Sequence, residues 1–312
     1  MKKLNNYESR NFGYGKQLAF AGKQALLDRY GEGKFATQAS HYARFKQFAD
    51  WCKNNGIRDA RTIDSDIISA FANSLSERVN NNSLSVSYAQ NQLSTVNVVL
   101  FTMRGDKSLV VSPSSLVGER SHIRQSVPLS LNRERYELAH QKLLTVDSKL
   151  TLAFAREFGM RLREAALFRP MDAVTECFKK GGFNIHRGVK GGRQAKRFIT
   201  PNSRQLQLLS HAQQFLGHRA LADRVGNYAE WKNRFYREYE NSGAHGVIGK
   251  YHDNRAAFAC EMYQKITGSP APVVAGKRLV SQERDKDARL KISRILGHGR
   301  IDVVSQYIGS MK

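Results

Sequence analysis

Near the end of the chain, Leu296-Gly297-His298-Gly299-Arg300-Ile301-Asp302-Val303-Val304-Ser305-Gln306-Tyr307-Ile308 holds an imidazole and a phenol nine residues apart. On one straight helix that spacing puts the two side chains on opposite sides. A glycine-rich break is what brings them to one place. The pattern predicts a helix over Asp287 to Leu296, with Leu290, Ile292, Ile295 and Leu296 available to pack and Gly297 as a left-handed cap. A second short helix is predicted to start at Asp302, whose carboxylate would N-cap it, with Val303, Val304, Tyr307 and Ile308 on one face. The same apolar stripe also suits a core tyrosine with its hydroxyl at the surface.

Three further groupings carry polar side chains at useful spacings. In Gly159-Met160-Arg161-Leu162-Arg163-Glu164, a glycine permits a bend before Arg161, and Glu164 lies three residues on, where a carboxylate can orient the guanidinium or simply form a surface salt bridge. His252 and Arg255 in Tyr251-His252-Asp253-Asn254-Arg255 fall on one face of a helical turn. Lys190 precedes Gly191-Gly192 between two stretches of strand character, which predicts a short hairpin with a basic tip that is either solvated or inserted in a groove.

Charge narrows the partners. Fifty Lys and Arg against twenty-seven Asp and Glu leave a net +23 across 312 residues, which calls for a polyanion, nucleic acid before anionic membrane. No apolar run approaches the roughly 18 residues of a membrane span, and the first residues lack the apolar core of a signal peptide. Cys52, Cys177 and Cys260 are scattered and odd in number, so neither a disulfide framework nor a zinc site is expected, and the compartment reads as reducing.

The elements that must position these groups divide in two. Residues 1–11 read as a loose basic start, and 12–105 as a helical unit. Its helices are predicted over Gly15 to Tyr30, over Thr37 to Asn55, from Asp64 or Ser65, and from Ser85. Residues 106–130, with Pro113, Pro128 and several serines, read as an extended connection or a loop packed on one unit. Residues 131–312 hold further helices, the predicted hairpin, and all the groups singled out above.

The ordered set Arg161 with Glu164, Lys190 in a hairpin, His252-x-x-Arg255, Leu-Gly-His298 and Tyr307 resembles the tyrosine recombinase, or phage integrase, family. The resemblance covers both halves of the chain. It implies a mainly α protein with a small β-sheet: an N-terminal helical, SAM-like core-binding domain and a mixed α/β catalytic domain, together a C-shaped clamp on duplex DNA. It implies Tyr307 as the nucleophile of a site-specific recombinase, the integrase of a mobile element, passing through a 3′-phosphotyrosyl link and a Holliday junction.

The expected roles follow from the charge of a phosphodiester in its transition state. Arg161 and Arg255 would hold the non-bridging oxygens, His298 would add a donor, Lys190 would protonate the departing 5′ oxygen, and His252 would assist proton transfer. Glu164 would support Arg161. Arg44, Lys46, Arg124, Arg193, Lys196 and Arg197 are expected as backbone contacts to DNA. No metal or other cofactor is expected. The partners implied are double-stranded DNA at specific recombination sites, a homo-tetramer on DNA that is a monomer or weak oligomer when free, and DNA-bending accessory factors, in a bacterial cytoplasm at the nucleoid. The alternatives are a type IB topoisomerase and an inactive DNA-binding protein of the same fold.

Overall fold

The computed structural model describes residues 7–189 and 197–311. The chain divides into two compact units, Met1–Ser121 and His122–Lys312. Lys190, Arg193 and Lys196, together with the expected hairpin tip, lie outside the described residues.

The first unit is built from α1 (Leu18–Tyr30), α2 (Phe35–Asn54), α3 (Ser65–Asn80), α4 (Val86–Arg104) and the short α5 (Pro113–Val117). Local chemistry sets the ends. The Asp64 carboxylate accepts from the Ile67 amide at 2.9 Å, Ser85 caps α4 through the Tyr88 amide, and Gly105 closes α4 in the left-handed region. The apolar residues of these helices meet in one core, where Phe45, Phe48, Cys52, Phe71, Leu75, Leu93, Val96 and Leu100 are buried. Each fully buried Leu or Phe contributes roughly 2 kcal/mol.

Part of the segment expected as a connection belongs to this packing. Pro113 opens α5 at a position where its missing amide costs nothing. Val117 is buried in the core, and the Asn97 and Gln90 side chains hold the backbone at Val111 and Gly118.

The second unit begins with α6 (Arg133–Lys142), α7 (Val146–Phe158), α8 (Leu162–Leu167) and α9 (Pro170–Lys180). The antiparallel strands β1 (Phe183–Asn184) and β2 (Phe198–Ile199) pair Phe183 with Ile199. Then follow α10 (Ser203–Leu216), α11 (Tyr228–Asn241), α12 (Ala244–Ile248), α13 (His252–Thr267), α14 (Pro272–Ala275), α15 (Gln282–Ile295) and α16 (Ser305–Ile308). α13 packs against α7, α15 and α16. One core gathers Phe154, Phe158, Phe168, Phe183, Trp231 and Phe235, and a second joins α13 to Ile292, Leu296, Val304, Tyr307 and Ile308.

Buried charge fixes α7 against α13. Arg156, fully buried, donates from both terminal nitrogens to the Glu261 carboxylate, and Arg133 bridges Glu157 and Glu261 at 2.6 and 2.9 Å. Removing one partner from such a pair leaves an uncompensated buried charge and costs about 3–5 kcal/mol.

Two expectations for the C-terminal stretch need correction. α15 starts at Gln282, not Asp287, because Ser281 supplies its N-cap through the Arg284 amide. Asp302 caps nothing; it sits inside a 3-10 turn, Asp302–Val304, and pairs with the exposed Arg300 at 3.0 Å.

Candidate active site

Gly159 ends α7 with φ +61°, and a Cβ there would stand 2.5 Å from the Phe258 ring, so only glycine serves. The chain then turns through Met160 to Arg161, which precedes α8. Glu164 reaches back from the first turn of α8, accepting from the Arg161 amide at 2.8 Å and from Arg161 Nη1 at 2.6 Å. The expected i, i+3 pairing is therefore present, with Glu164 fully buried and Arg161 partly open to solvent.

His252 and Arg255 rise from the first turn of α13 on one face. Arg255 is fully buried. Its Nη1 donates to the Gly159 carbonyl, its Nη2 to the Leu296 carbonyl at 2.5 Å, and its Nε to the Tyr307 hydroxyl at 3.3 Å. The guanidinium also stands 5.5 Å above the Tyr307 ring. These bonds tie the ends of α7 and α15, which lead into Arg161 and His298, to the side chain of Tyr307 on α16.

The glycine-rich break does what the spacing required. Gly297 adopts φ +66°, and His298 turns back so that its Nε2 lies 3.1 Å from the Tyr307 hydroxyl. The same nitrogen is 3.2 Å from Arg161 Nη2 and 3.2 Å from Arg255 Nη2. A guanidinium can only donate, so Nε2 is the acceptor and the imidazole proton resides on Nδ1. Burial, then the charges of Arg255 and Arg161, lower His298 to a pKa of about 3, which agrees with a neutral ring. His252 keeps an exposed edge at the rim, its ring 5.5 Å from that of Tyr307. Crowding by protein atoms, then Arg255 and Arg161, lower it to about 4.

Charge at the site is balanced from within. Burial alone would raise Glu164, yet Arg197, Arg255 and Arg161 bring its carboxyl down to about 2. Burial lowers Arg255 to about 10. One carboxylate thus faces three guanidiniums and leaves an excess of positive charge around the phenol, the electrostatics of a site for an anion. Among the described residues no cluster of side chains is arranged to hold a metal ion.

Two of the residues expected to contact DNA have partners within the protein. Arg197 is 1% exposed: Nη1 lies 2.7 Å from Glu164 Oε2, and Nε donates to the Ile295 carbonyl at 2.8 Å. Strand alternation explains it, because Arg197 shares a face with the buried Ile199 while Phe198 points out. Arg124 is drawn to Asp253 at 2.9 Å and to the Ser126 carbonyl. In the first unit, Arg44 is half-buried and donates to Thr95, whereas Lys46 stays exposed and pairs with Asp50 at 3.2 Å.

No family model matches the sequence, and no curated protein matches it either. Solved structures do. A lambda integrase dimer bound to a COC′ core site superposes with a TM-score of 0.55 at 17% identity, over 91% of this chain and 94% of the other. A second such dimer gives 0.56 at 17% identity over 91% and 76%, and a lambda integrase tetramer bound to a Holliday junction gives 0.53 at 18% identity over 88% and 74%. The chain has the tyrosine recombinase fold.

Within the tyrosine recombinase fold, the structure brings together Arg161, Glu164, His252, Arg255, His298 and Tyr307 in one cluster. Arg197 joins it from beneath, as a charge partner of Glu164. That role was readable only from the inward phase of a two-residue strand. Among the described residues no helix is long and apolar enough to cross a membrane.

Proposed function

We propose that this protein is a site-specific DNA recombinase that cuts and rejoins duplex DNA through a 3′-phosphotyrosyl intermediate, as the integrase of a mobile element. The observation that carries this reading is the Tyr307 hydroxyl held between His298 Nε2 at 3.1 Å and Arg255 Nε at 3.3 Å, with Arg161 on the open side.

In the proposed reaction a phosphodiester enters from the side of Arg161 and His252. Arg161 turns from His298 to the non-bridging oxygens and neutralises the charge that grows on them as the phosphorus becomes five-coordinate. Arg255 acts from behind the phenol: its terminal nitrogens are held by backbone carbonyls, so it supplies a fixed charge and a Nε donor to the phenolic oxygen. His298, neutral and with its lone pair toward the hydroxyl, takes the phenol proton. The phenolic oxygen bonds to phosphorus, the bond to the 5′ oxygen breaks, and Lys190 is the proposed donor of the proton that oxygen needs. Attack by a 5′ hydroxyl from a second duplex reverses these steps and reseals the strand, so bond energy is conserved without ATP. A tetramer on two duplexes supplies the four sites that strand exchange demands. Lambda integrase, whose fold the chain shares, has been crystallised both as a dimer on a core site and as a tetramer on a Holliday junction, which supports this assembly.

The test is a nicked suicide duplex drawn from the DNA flanking the gene, incubated with wild type and with Tyr307→Phe and then denatured. Wild type is expected to form a covalent adduct and Tyr307→Phe none, while both bind the duplex. Binding without an adduct on any site tried would favour an inactive DNA-binding protein, and cleavage that never yields exchange between two duplexes would favour a topoisomerase.

A further inference from the structure

α16 is four residues long, too short to be stable by its own hydrogen bonds, yet it carries Tyr307. Besides its packing on α13, a side chain from another helix holds it. Arg289, on α15, is fully buried and donates from Nη1 to Ser305 Oγ at 3.1 Å and to the Gly309 carbonyl at 3.2 Å, and from Nη2 to the Ser310 carbonyl at 2.5 Å. These acceptors bracket Tyr307, two residues before it and two and three after. Two of them are carbonyls just past the end of the helix, where backbone acceptors lack an intrahelical partner.

The clamp is itself fixed. Arg289 Nε donates to Asp285 Oδ2 at 2.7 Å, and the other oxygen of that buried carboxylate accepts from the Tyr263 hydroxyl of α13 at 2.8 Å. One helical turn on, Ser293 holds the His298 turn: its hydroxyl donates toward the carbonyls of His298 and Arg300, and its own carbonyl accepts from the His298 amide at 2.8 Å. One face of α15 thus reaches both partners of the His298–Tyr307 pair.

We propose that Arg289 is a positioning residue for the nucleophile, locking residues 305–310 so that the Tyr307 hydroxyl meets His298 and Arg255. This rests on the reading of Tyr307 as the nucleophile. None of the contacts Arg289 makes is to a group that touches the phosphate, so its loss misplaces the phenol and leaves the phosphate pocket built.

The experiment compares wild type with Arg289→Lys, which keeps the charge beside Asp285 but cannot span three acceptors, and with Ser305→Ala, which removes one acceptor and strands no charge. Single-turnover adduct formation on the nicked duplex is expected to fall about 100-fold in Arg289→Lys, the scale of a misplacement near 1 Å, with DNA affinity unchanged. Ser305→Ala is expected to fall less, in the same sense. Hydrogen peroxide, supplied as an external nucleophile to the Tyr307→Phe protein, should cleave at the same rate with and without Arg289→Lys, because its oxygen does not depend on α16. Adduct formation at the wild-type rate, or equal losses with Tyr307 and with peroxide, would overturn the proposal. Amide hydrogen exchange of the free protein tests it without chemistry. Arg289→Lys should speed exchange at Gly309 and its neighbours while α13 stays protected, and unchanged exchange across 305–310 would refute the clamp even if no duplex is ever cleaved by wild type.

Discussion

His298 Nε2 and the Tyr307 hydroxyl stand 3.1 Å apart, although His298 lies in the turn after α15 and Tyr307 on α16. Two guanidiniums point donors at the same nitrogen, so it carries no proton, and its lone pair turns to the phenol as Arg161 moves to the phosphate. In the proposed reaction that lone pair is the base. His298→Gln, whose amide can still donate to a phosphate but cannot take a proton at neutral pH, should therefore slow adduct formation by about 100-fold and leave DNA affinity within about twofold. Single-turnover cleavage alongside a binding isotherm checks both halves, and wild-type cleavage by the glutamine variant would remove His298 as the base.

The pH dependence follows from the same geometry. Burial and the neighbouring arginines lower His298 to about 3 and His252 to about 4, so both rings are neutral in the free protein through the range where histidine ordinarily titrates. Adduct formation at limiting DNA, which reports the free protein, should show no acid limb near pH 6.5; a break there would contradict a neutral His298. For stability the sign is set by the unfolded chain. Below about pH 6.5 the unfolded histidines take up protons that the folded ones refuse, so stability declines as pH falls. Glu164 adds to this lower down: its folded carboxyl is held near 2, and its contribution, present above about pH 4.5, is lost as pH falls toward that value. Urea titrations from neutral to acid pH measure the decline.

Glu164 is the single carboxylate within ion-pair reach of Arg161, Arg197 and Arg255 among the described residues. Glu164→Gln removes the charge and keeps the shape, leaving two buried guanidiniums without their carboxylate. A loss of about 3 kcal/mol in unfolding free energy is expected. Asp302→Asn, by contrast, breaks only the exposed pair with Arg300 and should stay within about 0.5 kcal/mol. Chemical denaturation of the two variants side by side separates a buried counter-charge from a surface one.

Local pattern made some of this site legible. Gly297 marked the end of the helix before His298, the i, i+3 rule paired Arg161 with Glu164, and the same rule put His252 and Arg255 on one face. The four helices predicted for the first unit are likewise the ones that build its core. What stayed hidden was set by contacts far apart in the chain. Arg197 meets Ile295 across 98 residues, and Arg124 meets Asp253 across 129. In a linear reading a basic residue in a polar stretch looks like a phosphate contact; tertiary packing turns these two against carboxylates. Arg289 was invisible for the same reason, since its partners are backbone carbonyls, which every sequence has.

The net +23 charge makes DNA binding strongly salt-dependent under the proposed function. If the protein neutralises about 10 phosphates, log affinity should fall with log salt at a slope near −9, and a slope close to zero would sink duplex binding as its role. Which cations carry that slope is decided by exposure. Lys46 is exposed and paired with an exposed Asp50, so Lys46→Ala should weaken binding uniformly across sequences and reduce the slope by about 1 if this helix face meets the backbone. Arg197 is the opposite case. Its guanidinium is buried against Glu164 and the Ile295 carbonyl, so Arg197→Met should lower the melting temperature and leave the salt slope of the folded fraction unchanged. Titrations of both variants across a salt series decide between a residue that touches DNA and one that holds up the site; a reduced slope in Arg197→Met would place that side chain on DNA after all.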